Sequence, residues 1–274
     1  MKKIDLHIHT ILSDGDYDIQ DIINLSKKNE CFTIAITDHE VIRDYSFIAK
    51  ENSIDVFNGI EFNTSEKGMH ILGYGIRNIE RVQKEMDLLH KDNEQVSFEL
   101  IRKLQQRNYD ISEIKIFDYF ADKNIYYKYL DKRHIVRYLI YKGYVKNVLD
   151  AYNNLIGRGT DLYIPLKKII PEEIINLISE CGGISVLAHP DTLNLNKQDL
   201  NLKINELVSY GLNGIEIENG NIKLNNRELY IMLAQKYKIL KTVGSDFHTA
   251  DNNIGINIEN EFYEEFKSKI KSLR

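Results

Sequence analysis

Near the start of the chain, residues 4–10 read Ile4-Asp5-Leu6-His7-Ile8-His9-Thr10 and combine a short apolar strand pattern with two histidines. Side chains two residues apart on a strand point to the same face, so His7 and His9 can contact one ion together. In α/β barrels, functional groups lie at the ends of strands. The stretch therefore predicts a first strand over Ile4–His9 with a polar site at its end.

Similar apolar, β-branched runs recur along the chain and alternate with segments of helical period. The seven predicted strands are Ile4–His9, Thr33–Thr37, Asp55–Phe62, Met69–Ile76, Ile184–Ala188, Gly214–Glu218 and Ile239–Gly244. Helices are predicted over Ile19–Asn29, from its apolar stripe, and over Pro171–Cys181, which has proline in its first turn. The alternation predicts a parallel α/β sheet or barrel.

The alternation stops between about Ile79 and Pro165, where nearly every segment has a helical pattern. The helices predicted there are Ile79–Arg107, Ser112–Phe120, Asp131–Tyr141 and Val145–Ile156. We expect residues 1–78 and 166–274 to form a barrel, and residues 79–165 to form a helical insertion that covers the active site.

Composition narrows the possible partners and locations. The 274 residues carry a net charge of −5, which argues against a broad basic surface for long duplex nucleic acid. No segment approaches the roughly 20 apolar residues that a membrane span needs. Cys31 and Cys181 form no C-x-x-C pair, so we expect two buried thiols and a cytoplasmic protein.

Six of the eight histidines lie at or near the ends of predicted strands, together with several carboxylates. The candidate metal ligands are His7, His9, Asp14, His39, Glu61, His70, His189, Asp246 and His248. Taken singly, a strand histidine is usually structural and an aspartate in Ser-Asp-Gly usually forms a turn. Together they would be costly to bury without a counter-charge, which metal ions supply.

Imidazole and carboxylate ligands without thiolates suit Zn, Mn or Fe. Nine ligand-type residues are too many for one ion. We therefore expect two or three divalent metal ions.

Several segments resemble the PHP family, which is named for polymerase and histidinol phosphatase. They are Asp5–Thr10 with Ser13–Gly15, Ile36–His39, Gly59–Glu61, Ala188–Pro190 and Gly244–His248, in the family's order. The resemblance extends to about Asp251. It implies a distorted (β/α)7 barrel, a trinuclear metal centre and metal-dependent hydrolysis of phosphoric esters.

The resemblance also implies roles for individual residues. One metal would be held by His7, His9, Glu61 and Asp246. Glu61 would bridge to a second metal held by His70 and His189, and the third metal would be held by Asp14, His39 and His248. We expect Asp38, His39 and Glu61 to be catalytic, and Asp5 and Asp38 are candidates for orienting imidazoles.

Within the family, Asp14 and the helical insertion resemble small phosphoesterases that act on nucleoside 3′,5′-bisphosphates or trim RNA from its 5′ end. The segment Lys132–Arg137 resembles their substrate-binding helix, and Gly157-Arg158-Gly159 resembles the segment that returns to the barrel. The expected substrate-binding residues are Lys132, Arg133, His134, Arg137 and Arg158. The partner implied is a small phosphorylated substrate or a short oligonucleotide end. Lys132, Glu40 and Gln95 depart from the family pattern and leave the specificity open.

Two alternatives stay open. One is a phosphatase for another small ester, such as histidinol phosphate. The other is a noncatalytic binding module that a metal cluster stabilises, although the complete ligand set and the basic helix favour an enzyme. Metal-dependent hydrolysis of C–N bonds would usually require a ligand lysine at a strand end, and none of the predicted strand ends carries one.

Overall fold

The computed structural model describes residues 1–45, 54–123, 125, 127–220, 226–250 and 253–273. Two compact units are present. The first, here called the barrel unit, comprises Met1–Lys84 and Lys168–Arg274. The second, here called the inserted unit, comprises Glu85–Lys167. Among the described residues, no helix has the length and apolarity needed to cross a membrane.

One mixed sheet with strand order β7-β6-β5-β4-β3-β2-β1-β8 forms the centre of the barrel unit. The strands are Lys2–Ile8 (β1), Thr33–Ile36 (β2), Asp55–Asn63 (β3), His70–Tyr74 (β4), Ile184–Leu187 (β5), Gly214–Asn219 (β6), Leu240–Gly244 (β7) and Ile256–Ile258 (β8). Neighbouring strands are parallel except that β4 runs antiparallel to β3 and β5, and β8 runs antiparallel to β1. The predicted α/β barrel is confirmed, with an eighth strand that the sequence did not reveal.

The sheet nearly closes where the end of β1 meets the segment that follows β7. His9 N donates to Phe247 O at 2.9 Å, and Phe247 N donates to His7 O at 3.3 Å. A side chain at Gly244 would place its Cβ 2.2 Å from His7 Cβ, far inside van der Waals contact. Only glycine therefore allows this close approach of the two strands.

Helices of the barrel unit alternate with its strands. They are Ile19–Lys28 (α1), Pro171–Glu180 (α6), Lys197–Ser209 (α7), Arg227–Tyr237 (α8) and Asn260–Ser272 (α9). At the start of α1, Asp18 accepts a hydrogen bond from Asp21 N at 2.9 Å, which caps the helix. Helix α6 begins at a proline, as predicted, because proline lacks the N–H that the first turn leaves unpaired anyway.

The core of the barrel unit lies between the sheet and these helices. Every residue of β2 and β5 is buried, as expected for strands covered on both faces. Ile22 and Ile23 of α1 belong to one apolar cluster with Ile34 and Ile36 of β2. Cys31 and Cys181 are both buried, which confirms the prediction of two buried cysteines.

Between β4 and α6, the regular elements of the described residues are helices. The helices are Ile79–Gln106 (α2), Glu113–Ala121 (α3), Lys132–Tyr141 (α4) and Val148–Ala151 (α5), and α5 continues into a π-helical turn, Tyr152–Ile156. The inserted unit has its own apolar core, which includes Leu104, Ile116, Phe120 and Leu139. The helix predicted over Val145–Ile156 is confirmed from Val148 onward, since the chain bends over residues 145–147 and Asn147 caps α5 through Asp150 N at 2.8 Å.

Strand β4 departs from the parallel arrangement that the alternating pattern suggested. Residues 64–69 connect it to β3, and this connection is short enough for an antiparallel hairpin. The reversal pairs Asn63, at the end of β3, with His70, at the start of β4. The first residue of β4 thus lies at the edge of the sheet where β3 ends.

Candidate metal centre

The predicted ligand residues meet at one edge of the barrel unit because each lies at a strand end on that edge. His7 belongs to β1, and His9 and Asp14 follow it. His39 follows β2, and its backbone forms a parallel bridge with that of Glu61 in β3. His70 opens β4, and His189 follows β5. Asp246 and His248 follow β7, which completes the cluster.

The Glu61 carboxylate lies at the centre of this cluster and is almost fully buried. Its Oε2 lies 3.2 Å from His7 Nε2, 3.1 Å from His9 Nε2 and 3.3 Å from His39 Nδ1. Its Oε1 lies 2.8 Å from His70 Nδ1 and 2.9 Å from His189 Nε2. One carboxylate therefore contacts five imidazoles.

The first candidate metal group comprises His7, His9, Glu61 and Asp246. Asp246 Oδ1 lies 3.4 Å from His7 Nε2 and 3.2 Å from His9 Nε2. Four ligands at about 2.1 Å from one ion in tetrahedral geometry would lie about 3.4 Å apart. The observed separations fit that geometry, and the residues are those that the sequence assigned to one metal.

A second group comprises His9, Asp14, His39 and His248. Asp14 Oδ1 lies 3.3 Å from His248 Nε2 and 3.5 Å from His9 Nδ1, and Asp14 Oδ2 lies 3.7 Å from His39 Nε2. The sequence had placed Asp14, His39 and His248 together. The structure adds His9 to this group, because its Nδ1 faces Asp14 while its Nε2 faces Glu61 of the first group.

The third group comprises His39, Glu61 and His70. The sequence had grouped Glu61 and His70 with His189 instead. His189 Nε2 contacts the same Glu61 oxygen that His70 contacts, so the structure brings it to this group as well. The structure thus gathers every predicted ligand residue into one connected cluster.

Opposite charges stabilise one another inside the cluster. Burial disfavours the ionised form of Glu61, but the charges of His39, His7 and His70 outweigh it and hold the pKa of Glu61 well below its usual range. Burial likewise disfavours charged His9, yet Asp246 and Glu61 raise the pKa of His9 to about 10. His9 therefore holds a proton that a cation binding there must displace.

Several buried ligand atoms lie beside other ligand atoms but form no hydrogen bond. His7 Nε2, His9 Nε2 and Asp14 Oδ1 are buried and make no hydrogen bond within the described part of the chain. An orphaned buried polar atom is unfavourable, and three in one cluster call for a shared ligand. Divalent cations fit, since the donors are imidazole nitrogens and carboxylate oxygens.

Two ligand residues sit in backbone conformations that are unfavourable for them. Asp246 has φ +55° and His189 has φ +23°. Each lies two residues after the last residue of a strand. Positive φ in residues other than glycine stores strain that the surroundings must offset. Such strain is common where side chains must be aimed at a functional centre.

Asp38 does not join the candidate metal groups among the described residues. Its Oδ1 accepts hydrogen bonds from Thr10 N at 2.7 Å and Ser13 Oγ at 2.6 Å, and its Oδ2 accepts one from Thr10 Oγ1 at 2.7 Å. These contacts hold the turn that leads to Asp14. They favour a structural role over the catalytic role predicted for Asp38.

Asp5 also differs from its predicted role, because it contacts backbone rather than an imidazole. It accepts hydrogen bonds from Ser245 N at 2.9 Å, Gly255 N at 2.8 Å and His7 N at 3.2 Å. Burial raises the pKa of Asp5 to about 6 despite these donors. Asp5 therefore ties β1 to the segments after β7.

Sequence reasoning missed two residues that contact the ligands, Glu216 and Asn63. Glu216 in β6 is fully buried, and its Oε1 lies 3.1 Å from His7 Nδ1. Glu40 accepts a hydrogen bond from Asn63 Nδ2 at 2.7 Å, and that amide nitrogen lies 3.3 Å from His39 Nδ1. A buried acid within an apolar strand, as in Gly214-Ile215-Glu216-Ile217, is a signal that could have identified Glu216.

The predicted substrate-binding residues belong to the inserted unit and differ in their contacts. Lys132 is buried and donates to Ile164 O, which favours a structural role. His134 accepts from Asp131 N at 3.1 Å and so closes a capping box at the start of α4. Arg133 is partly buried and pairs with Asp131 Oδ2 at 2.7 Å, Arg137 is partly buried, and Arg158 is exposed.

The PHP domain family model matches residues 5–173, which is more than half of the chain. The chain therefore belongs to the PHP domain family. This membership agrees with the mixed α/β barrel and with the histidine and carboxylate cluster at its edge.

Two relatives match nearly the whole chain. A 5′-3′ exoribonuclease from Haemophilus influenzae is 25% identical over 260 residues, covering 90% of this chain and 90% of the relative. A 3′,5′-nucleoside bisphosphate phosphatase from Chromobacterium violaceum is 23% identical over 256 residues, covering 90% of this chain and 88% of the relative.

A solved structure from Bifidobacterium adolescentis, described as a candidate metal-dependent phosphoesterase, has a similar fold. It superposes with a TM-score of 0.81 at 20% identity and covers 97% of this chain and 95% of that chain. At this identity the likeness supports the fold.

Proposed function

We propose that this chain, a metal-dependent hydrolase of phosphoesters, acts on terminal phosphates of nucleotides. Its substrate would be a nucleoside 3′,5′-bisphosphate or the 5′ end of a short RNA. The observation that carries the proposal is the nine-residue cluster centred on Glu61, in which His7 Nε2, His9 Nε2 and Asp14 Oδ1 are buried without a hydrogen bond. The relatives that match most of this chain supply the substrate class, since they are an exoribonuclease and a bisphosphate phosphatase.

In this proposal the cluster holds two or three divalent ions, with Mn, Fe and Zn as the candidates. His7, His9, Glu61 and Asp246 hold the first. Glu61 also serves the second with His70 and His189, and Asp14, His39 and His248 hold the third. The 3.1–3.4 Å separations in the first group support its assignment.

Divalent ions bound here would generate a nucleophile from water at neutral pH and neutralise charge on phosphoryl oxygens. The chain's own side chains provide the positions. Glu61 brings five imidazoles together, and Asp38 holds the turn that carries Asp14. His39 is the proposed catalytic residue, since one of its ring nitrogens lies 3.3 Å from Glu61 and the other lies 3.7 Å from Asp14.

A second phosphate would be recognised by the inserted unit. Arginine offers a two-pronged set of donors to phosphate oxygens, so Arg133, Arg137 and Arg158 are the proposed contacts, with His134 beside them. The buried ammonium of Lys132 donates to Ile164 O, so Lys132 is not among the proposed contacts.

The test compares substrates of matched chemistry in the presence of Mn²⁺. Purified protein is incubated with adenosine 3′,5′-bisphosphate, with a linear 5′-phosphorylated oligoribonucleotide, with the same oligonucleotide in circular form, and with histidinol phosphate. Chelated protein and an Asp246→Ala variant, purified in parallel, exclude a contaminating phosphatase. We expect hydrolysis of the bisphosphate or the linear RNA and none of the circular RNA.

Each alternative has its own outcome. Preferential hydrolysis of histidinol phosphate would identify a phosphatase for another small ester. Metal binding without hydrolysis of any substrate would identify a noncatalytic, metal-stabilised module. Equal cleavage of linear and circular RNA would rule out recognition of the 5′ end.

A further inference from the structure

Glu216 lies in the middle of β6 and is fully buried beside the metal centre. Its two oxygens have different partners. Oε1 lies 3.1 Å from His7 Nδ1. Oε2 accepts hydrogen bonds from His189 N at 2.7 Å and from Asn219 Nδ2 at 3.0 Å. One carboxylate thus contacts a ligand residue from β1 and a ligand residue that follows β5.

The contact with His7 determines which ring nitrogen faces the cluster. A histidine that binds a cation through one nitrogen must carry its proton on the other. With the Nδ1 proton donated to Glu216, the lone pair of Nε2 is left facing Glu61 and Asp246, 3.2 and 3.4 Å away. Glu216 therefore favours the form of His7 that can act as a ligand.

The contact with His189 holds backbone rather than the ring. His189 has φ +23°, a conformation that its neighbours must stabilise. Its N–H donates to Glu216, and its Nδ1 lies 3.1 Å from Thr192 Oγ1, which leaves Nε2 at 2.9 Å from Glu61. The backbone contact and the ring contact together aim the imidazole at the centre.

Glu216 itself belongs to none of the three candidate metal groups found among the described residues. We propose that Glu216 is a positioning residue that fixes the proton of His7 on Nδ1 and the backbone of His189, and so links the two ends of the ligand cluster. The inference rests on the proposed metal centre. It predicts that Glu216 changes metal affinity without touching the metal.

The variant that tests this is Glu216→Gln, which keeps the shape and replaces one acceptor oxygen by a donor. Three N–H donors face the carboxylate, so the amide must lose either the His7 contact or the His189 contact. The control is Glu218→Gln on the same strand, which removes only the partly exposed ion pair with Arg227 at 2.8 Å.

Zn²⁺ affinity of the metal-free full-length proteins is measured by competition with a chromophoric chelator. We expect Glu216→Gln to bind Zn²⁺ about 10- to 100-fold more weakly than the wild type, the usual effect of removing a group that orients a ligand. Glu218→Gln should match the wild type. In ¹⁵N-histidine NMR of the Zn²⁺-loaded proteins, the slowly exchanging Nδ1 proton of His7 should be present in the wild type and lost or shifted in Glu216→Gln.

A lower melting temperature with unchanged Zn²⁺ affinity and an unchanged His7 signal would show that Glu216 is only structural and would overturn the inference. If Glu216→Gln does not fold, Glu216→Asp replaces it, because the shorter acid cannot reach both partners; wild-type affinity in that variant would also overturn the inference. A wild-type protein that binds no Zn²⁺ would refute the proposed metal centre together with this inference. If the wild type binds Zn²⁺ and Glu216→Gln binds it equally well, the inference about Glu216 is refuted while the proposed metal centre stands.

Discussion

Replacing Glu61 by glutamine tests whether one carboxylate holds the metal centre together. The amide keeps the size of the side chain but removes a negative charge that lies 2.8–3.3 Å from five imidazole nitrogens. Removing one partner from a buried charge network costs about 3–5 kcal/mol. If that whole cost appears in metal binding, then at about 1.4 kcal/mol per tenfold change metal affinity should fall by roughly 10²- to 4 × 10³-fold.

The assay is elemental analysis of Glu61→Gln after gel filtration without added metal, followed by Mn²⁺ titration of phosphate release. We expect a lower metal-to-protein ratio and activity below about one hundredth of wild type at subsaturating Mn²⁺, from the same free-energy difference. The matched control is Glu66→Gln, which breaks only the ion pair with Lys203 at 2.9 Å.

The result that refutes this reasoning is an unchanged metal-to-protein ratio in folded Glu61→Gln. Circular dichroism establishes the fold. If metal content is unchanged while hydrolysis is lost, Glu61 acts in the chemistry but does not bridge metals.

Three further predictions concern the pH dependence of metal binding, the binding of the bisphosphate and the stability of the turn that Asp38 holds. Because the pKa of His9 is raised to about 10, His9 carries a proton at neutral pH that Zn²⁺ must displace. Apparent Zn²⁺ affinity should therefore rise as pH increases from 6 to 9, by up to about tenfold per pH unit for each proton displaced. Chelator competition at each pH measures this affinity, and an affinity that does not change with pH would contradict the prediction. Arg133→Ala should weaken binding of a bisphosphate by about 1–3 kcal/mol, seen as a higher KM, while Arg107→Ala, which breaks an exposed ion pair, should leave KM unchanged. Asp38→Ala leaves the buried donors of Thr10 without an acceptor, so the free energy of unfolding should fall by about 3 kcal/mol in thermal or urea unfolding, and an unchanged value would argue against its structural role.

The ligand residues could be predicted from the sequence because strand ends in an α/β barrel share an edge. This logic worked for His39, His189 and His248, which follow strands. His70 was counted with these residues although it begins a strand, and the antiparallel direction of β4 is what brings it to the cluster. Strand direction depends on pairing between distant segments, which a local pattern does not encode.

Other features could not be predicted from the sequence, for different physical reasons. Strand β8 has three residues, too few to show alternation. Glu216 stands between two isoleucines in a predicted strand, which marks it as unusual, but only the structure shows that its carboxylate is buried beside His7. Lys132 lies in a basic stretch that suggests phosphate binding, and only the three-dimensional contacts show its ammonium donating to Ile164 O.

The direction of β4 also bears on how the ligand cluster assembles during folding. Glu61 and His70 are nine residues apart and meet across one hairpin, whereas His7 and Glu216 are separated by 209 residues. Since closure entropy grows with the logarithm of loop length, bringing the distant pair together costs about 3 kcal/mol more. The hairpin pair can therefore form while the chain is still open, and the remaining ligands join only as β1 and β7 come together. A cation that already binds this pair in the open chain would favour the closed barrel only to the extent that the remaining ligands bind it more tightly there.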